Sequence, residues 1–475
     1  MEWLKELNEA ISGLVWGIPM LALIVGVGVY LSFRTHFVQI FRFRYAMKNT
    51  IGKAFSKQKS SKGDVTPFQA LTTALASTVG TGNIAGITSA VTLGGAGSIF
   101  WLWVSAVIGM CTKYAEVVLA VRFRERNKAG EWAGGPMYYI KNGLGKNFEW
   151  LAAVFCVFGA VAAFGVGNAV QVGNMTGSIN SAVQAFIPGA GQYKSTINLT
   201  VGIIVALLTA LTLFGGIKRI GRVTEVLVPL MAAVYIIASL VVIVVNIDCL
   251  GAVFAKIFND AFSPAAAAGG AAGISVRTAV SWGFRRGVFS NEAGLGSAPI
   301  AHATTSETNP VKQGMFGIFE VFLDTIVMCT ITGLTLLMSG IDINYGSNGS
   351  IALNISAFAT VFGGKAAGVI IAVGMSMFAL ATVLGWSLYG VRCAEYLFGS
   401  RSIPVYQFVY VLVTVAGATL DLDFIWQVAD TLNGLMAIPN LIAVLALSGV
   451  VVKLTREHFD RLDRQGNDKS LYRRR

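Results

Sequence analysis

"ALASTVGTGNIAGITSA" occupies residues 74–90, in the middle of an apolar segment, 68–93, that is long enough to cross a bilayer as a helix of about 20 residues. Its centre, Val79-Gly80-Thr81-Gly82-Asn83, works against that helix, since each glycine disfavours helix by about 1 kcal/mol relative to alanine. Small residues let membrane helices pack closely, but packing does not require the polar Ser77, Thr78, Thr81 and Asn83 that crowd the same turn. A dinucleotide loop is excluded: the third glycine, Gly86, comes one residue late and no strand precedes the run. Non-helical backbone at mid-bilayer is tolerated only around a cavity or within protein. A broken helix there offers free N–H groups to a carboxylate and free C=O groups to a desolvated cation such as Na⁺. The stretch therefore predicts a site for a zwitterion and a cation together.

The rest of the chain agrees with a membrane setting. Its 475 residues are 55% hydrophobic and 13% charged, against about 25% charged in soluble domains, and mean hydropathy is +0.66. No alternating ten-residue strands suggest a β-barrel, and no cleavable signal peptide is visible. Five scattered cysteines form no C-x-x-C pair and no metal spacing. The three histidines are too separated for a metal centre. No cofactor is expected beyond a coupling ion.

Apolar runs and their polar breaks predict an all-α integral membrane protein of about eleven spans: 14–33, 68–93, 98–121, 150–185, 198–214, 223–246, 253–290, 314–339, 366–397, 404–418 and 425–452. Residues 1–67 form an extra helix with a basic loop, 68–452 a ten-helix core, and 453–475 a basic tail. Of the 36 Lys and Arg, all but Lys5, Lys113, Lys194, Lys256, Arg277 and Lys365 fall on loops or helix ends of one side. Positive charge marks the cytoplasmic face, which puts the N-terminus outside, the C-terminus inside, and the chain in the plasma (inner) membrane. The net charge of +12 is then inner-leaflet charge, and nucleic acid is a poor partner.

Other spans carry polar marks. Asn168 and Gln171, at i and i+3 in the fourth, share one helical face. Residues 265–273 of the seventh are alanine and glycine only, a second candidate break. Thr382, with Trp386 nearby, marks the ninth. Lys113 and Glu116, i and i+3 in the third, read as a self-neutralising pair near the cytoplasmic end. Asp324 in the eighth has no local partner, and intramembrane charge points to function. Breaks in spans two and seven lie five apart. An odd offset makes a repeat of spans 2–6 and 7–11 inverted in the membrane, which is a transporter architecture.

The ordered blocks TVGTGNIAG (78–86), GGAGSIFWLW (94–103), KYAEVVLAVRFR (113–124), AGGPMYYI (133–140), RGVFSNEAGLGSAP (286–299) and GWSLYG (385–390) resemble the alanine/glycine:cation symporter family. That resemblance implies the leucine-transporter fold, a 5+5 inverted repeat, and Na⁺-driven, sometimes H⁺-driven, uptake of alanine or glycine. It implies that the Thr81 and Gly82 amides take the carboxylate, with Thr78 and Gly80 in the same break and Gln171 on the substrate side. The Ala76 and Val79 carbonyls, facing Thr382, resemble the cation site. Residues 269–273, with Gly270 and Ala271, resemble the second unwound segment, and Trp386 a pocket wall. Two departures stand out. Ala381 replaces a serine hydroxyl common beside Thr382, and Ala271 replaces a phenylalanine. H⁺ coupling, or another small neutral amino acid, is the alternative within this class. A membrane enzyme would need a nucleophile–base pair or metal cluster, and a channel a filter or charged ring. The sequence shows neither.

Overall fold

The computed structural model describes residues 2–54, 65–262, 276–347, 349, 351–420 and 423–464. Among them, nine helices are long and apolar enough to cross a membrane. Two further elements, the second and seventh in order, are assembled from shorter helices and complete the expected eleven.

Span 1 is Ile18–Arg34, preceded by Glu2–Val15 and followed by Val38–Phe41 and Phe43–Ala54. Span 2 is Pro67–Thr78 and Ala85–Gly94 with a single 3₁₀ turn, Thr81–Asn83, between them. Its start is written in the sequence: Pro67 follows Thr66, whose hydroxyl accepts from the Gln69 amide while the Gln69 side chain accepts from the Thr66 amide. Such a reciprocal cap stabilises a helix end by about 1 kcal/mol. Span 3 is Gly97–Arg122, and span 4 joins Glu149–Phe164 to Val170–Phe186 through a π-helical turn, Gly165–Ala169. Spans 5 and 6 are Lys194–Leu213 and Gly216–Val245. Their exposed Leu207, Leu211, Ile237 and Val244 form an apolar outer surface. Span 8 runs Pro310–Val321, a π-helical Phe322–Cys329, and Thr330–Met338. Spans 9, 10 and 11 are Gly364–Phe398, Ile403–Thr419 and Asp423–Ala446. A helix, Ser448–Arg464, then continues into the tail.

Span 7 differs from the sequence expectation. Leu250–Phe262 is a separate helix laid across the start of span 3, so close that a β-carbon on Gly97 would stand 2.5 Å from the Ala261 amide nitrogen. Span 7 itself is Val276–Asn291, an irregular turn at 292–297, and a short helix, Ala298–His302. The expected break at 265–273, with Gly270 and Ala271, lies outside the described residues. The described interruption uses Gly294 and Gly296, whose φ of +94° and +82° suit a residue without a β-carbon, and Glu292 at φ +54°. It follows that Arg285 and Arg286, grouped from the sequence with the cytoplasmic loop, lie inside span 7, ahead of the break.

One face of the bundle carries a two-stranded hairpin, Glu125–Arg126 paired with Trp132–Ala133. Here the chain before span 2 meets the chain after span 7: Val65 bridges Thr305, and the Ser306 amide donates to the Val65 carbonyl at 2.8 Å. Arg124 closes the same face by donating to the carbonyls of Ala303, Thr305 and Glu307 at 2.6–3.0 Å. The opposite face is open: a cavity of about 930 Å³ descends from Lys194 and Asn198 to the break in span 2.

Candidate functional site

The break in span 2 follows from where four amide donors go. A helix ending at Thr78 leaves its last carbonyls without helical partners. The Gly80 amide, which would serve Ala76, donates instead to Asn83 Oδ1 at 2.8 Å. The Thr81 amide, which would serve Ser77, donates to Gln171 Oε1 at 3.3 Å, and the Thr81 hydroxyl to the same oxygen at 2.8 Å. The Gly82 amide, which would serve Thr78, has no hydrogen-bond partner among the described residues. The Asn83 amide, which would serve Val79, donates to the Gly80 carbonyl at 3.1 Å. So the Ala76 and Val79 carbonyls are free of backbone donors, and the Thr81 and Gly82 amides point away from their own helix.

Span 9 closes on this break. Thr382 Oγ1 donates to the Phe378 carbonyl at 3.0 Å, which leaves its lone pairs available. A β-carbon on Gly80 would lie 2.6 Å from that hydroxyl and 3.5 Å from Gln171 Oε1. Three residues on, a β-carbon on Gly385 would collide with Ser77 Oγ. Gln171 is fixed from behind: its Nε2 donates at 2.9 Å to the Val166 carbonyl, five residues back, which the π-helical turn of span 4 exposes. Asn174 donates to Thr81 Oγ1 at 3.0 Å. The cavity ends on Thr81, Gly82 and Gln171.

The second break is built from buried carboxylates with mostly neutral donors. Glu292 accepts from Trp386 Nε1 at 3.0 Å and from the Ser297 hydroxyl. Glu116 accepts from the Gly294 amide at 3.1 Å and from Asn440, which also donates to the Gly294 carbonyl. Glu320 meets His302 at 2.8 Å and Lys113 at 3.4 Å. Lys113 thus pairs across to span 8, and the expected pair with Glu116 is not formed; span 3 turns the two side chains toward different neighbours. Asp324, in the π-helical turn of span 8, ties the two breaks together. It accepts from Asn83 at 2.7 Å, from Ser290 at 2.7 Å and from Thr325 at 2.8 Å, fully buried and with no cation in contact among the described residues.

The sequence pattern of the sodium:alanine symporter family matches residues 1–473. The chain belongs to this family. It is 46% identical over 455 residues to the sodium/alanine symporter AgcS of Methanococcus maripaludis, covering 95% of this chain and 96% of that one. To the probable sodium/glutamine symporter GlnT of Bacillus subtilis it is 35% identical over 475 residues, 99% of this chain and 94% of that one. Its fold is similar to that of MhsT, crystallised in complex with L-phenylalanine, with a TM-score of 0.59 at 12% identity over 84% of this chain and 99% of MhsT. This sodium:alanine symporter family member is a multi-pass membrane protein of the leucine-transporter type and a secondary transporter.

Within this family member, the residues expected at the site divide. Ala76, Val79, Gly80, Thr81, Gly82, Gln171 and Thr382 converge on the span 2 break. Thr78 lies on it, but its hydroxyl turns back to the Ala74 carbonyl at 3.3 Å. Asn168 is elsewhere: the π-helical turn shifts its register from Gln171, and it donates to the Tyr410 carbonyl of span 10 at 2.8 Å. Trp386 packs against Gly167 and serves the second break. Asn83, Ser290 and Glu292 were not singled out from sequence as site residues. The motif Gly294-Leu295-Gly296, matching Gly80-Thr81-Gly82, is the signal that would have found the second break.

Proposed function

We propose that the chain carries out Na⁺-coupled uptake of alanine or glycine, with the N-terminus outside and the C-terminus in the cytoplasm. The observation that carries this reading is the division of labour at one helix break. Thr81 and Gly82 line the cavity; the Gly82 amide has no partner among the described residues, and the Thr81 amide, held at 3.3 Å by Gln171 Oε1, becomes available to a carboxylate when that contact opens. On the other side, the Ala76 and Val79 carbonyls and the Thr382 hydroxyl suit a hard cation with oxygen ligands. Gln171 Oε1, once the Thr81 amide turns to the carboxylate, has a lone pair for the ammonium group. The names of AgcS and of the family support alanine and Na⁺.

Coupling to H⁺ is the second reading. It is favoured by Asp324, a buried carboxylate without a counter-charge beside the first break, and by Ala381, which lacks a hydroxyl next to Thr382. Proteoliposome uptake of labelled alanine under an imposed Na⁺, Li⁺ or H⁺ gradient tests both. Accumulation that follows Na⁺ supports the first, and accumulation that follows pH and ignores Na⁺ replaces it with the second.

A further inference from the structure

Successive arginines in span 7 have unlike surroundings. Arg285 meets Asp430 of span 11 at 3.2 Å, and its guanidinium lies 5.6 Å from the Trp16 ring. Among the described residues Arg286 makes no salt bridge, and its buried Nε makes no hydrogen bond. It is held instead between aromatic faces, 5.2 Å from Trp282 and 5.8 Å from Phe289. Aromatic faces steady a cation without neutralising its charge.

That charge borders the open cavity. Arg286 Cδ would be 3.8 Å from a β-carbon on Gly86, and both residues line the space. Gly86 stands four residues beyond Gly82, so Arg286 lies about 6 Å farther toward the open end, at 1.5 Å per residue. Among the described residues, the charged side chains lining this cavity are Arg286 and Lys194, with no carboxylate beside them. A half-buried guanidinium in a low-dielectric recess is costly unless something answers it, and its planar fork suits a carboxylate better than a spherical anion.

We propose that Arg286 forms an outer subsite that takes the carboxylate of an entering amino acid, one helical turn before the Thr81 and Gly82 amides. This rests on the reading that the inner amides receive the substrate. The outer site concentrates zwitterions at the mouth and hands them inward. Lys194, exposed at the rim, adds to the attraction without fixing position.

The test is chemical labelling of the full chain in lipid nanodiscs with phenylglyoxal, which modifies accessible guanidinium groups, followed by peptide mass spectrometry. Arg285, engaged with Asp430, is the internal reference. Acetate or alanine should slow modification of Arg286, by about threefold at twice its dissociation constant. Alaninamide, and chloride at equal ionic strength, should not. Protection should persist in Gln171→Ala, in which the inner site is impaired. In uptake, Arg286→Gln should raise KM several-fold with kcat held, and Arg286→Lys should recover part of it. The proposal is overturned by unlabelled Arg286, by equal rates with and without carboxylate, by chloride protecting as well as acetate, or by loss of protection in Gln171→Ala. The inner-site reading fails on a different result, the absence of alanine uptake by the unaltered protein.

Discussion

Gly80 and Thr382 stand so close that a single added carbon on one would sit 2.6 Å from the hydroxyl oxygen of the other. The break in span 2 and the wall of span 9 meet there without spare volume. Gly80 itself has an extended backbone, φ −128° and ψ −163°, which any residue adopts, so it is space and not conformation that calls for glycine. Gly80→Ala should therefore displace Thr382 and Gln171 and reduce alanine affinity at least tenfold, and Gly80→Leu should abolish binding while insertion survives. Gly82→Ala should be milder, because its β-carbon would meet only the Phe289 ring, at 3.4 Å. Calorimetry on the purified variants checks this order, and wild-type affinity in Gly80→Leu removes the broken-helix site.

Gln171 holds the Thr81 amide and hydroxyl through one oxygen. Removing a hydrogen bond to a charged group costs about 1.5–3 kcal/mol, so Gln171→Ala should weaken alanine binding by roughly one to two orders of magnitude. Melting temperature should change little. A clear drop in melting temperature with KM unchanged assigns Gln171 to helix bridging alone.

Thr382 supplies a hydroxyl where Ala381 supplies none. Thr382→Ala should raise the half-saturating Na⁺ concentration sharply and lower alanine affinity with it, because coupling of two binding sites is reciprocal. Ala381→Ser should shift the Na⁺ curve the other way. Uptake against external Na⁺ at matched expression measures both. An unmoved curve in Thr382→Ala places the cation elsewhere, with Asp324 the next candidate.

His458, on the helix after span 11, lies between Tyr45 Oη at 3.0 Å and Asn309 Nδ2 at 3.1 Å. Burial, with Lys312, Arg461 and Arg42 nearby, pushes its pKa down to about 4. The unfolded or undocked histidine takes up its proton near pH 6.5. The folded form therefore binds fewer protons between these values, and the contact contributes fully above about pH 6.5 and fades as pH falls toward 4. Hydrogen-exchange protection factors across Ser448–Arg464, with the intrinsic pH dependence of exchange removed, should fall between pH 7 and pH 5. His458→Asn should flatten that dependence; an equally steep one in the variant clears His458 of the effect.

The first break was readable because glycine and hydroxyl residues interrupt an apolar run, a local signal. Gln171 showed in the sequence only as a polar residue inside an apolar run, and its place near the break was what the family resemblance implied. Asn168 was misplaced because a π-helical turn cannot be told from an α-helical one by spacing, and one extra residue in the turn rotates a side chain onto another neighbour. The second break was sought in residues 265–273, where composition alone weakens helix. The described interruption instead contains Glu292, which reads as a loop residue until Trp386, nearly a hundred residues away in sequence, is seen to donate to it. Lys113 illustrates the same limit: its partner Glu320 belongs to another span, and i, i+3 spacing favoured Glu116.

Arg124 grips three carbonyls just past span 7, beside the single strand-like contact between Val65 and Thr305. Any opening of the hairpin face requires these bonds to part. With a charged donor each is worth about 1.5–3 kcal/mol net, so the three together contribute substantially to keeping this face shut. A change at Arg124, on the rim and apart from the break in span 2, is then expected to loosen the hairpin face without altering the residues around that break.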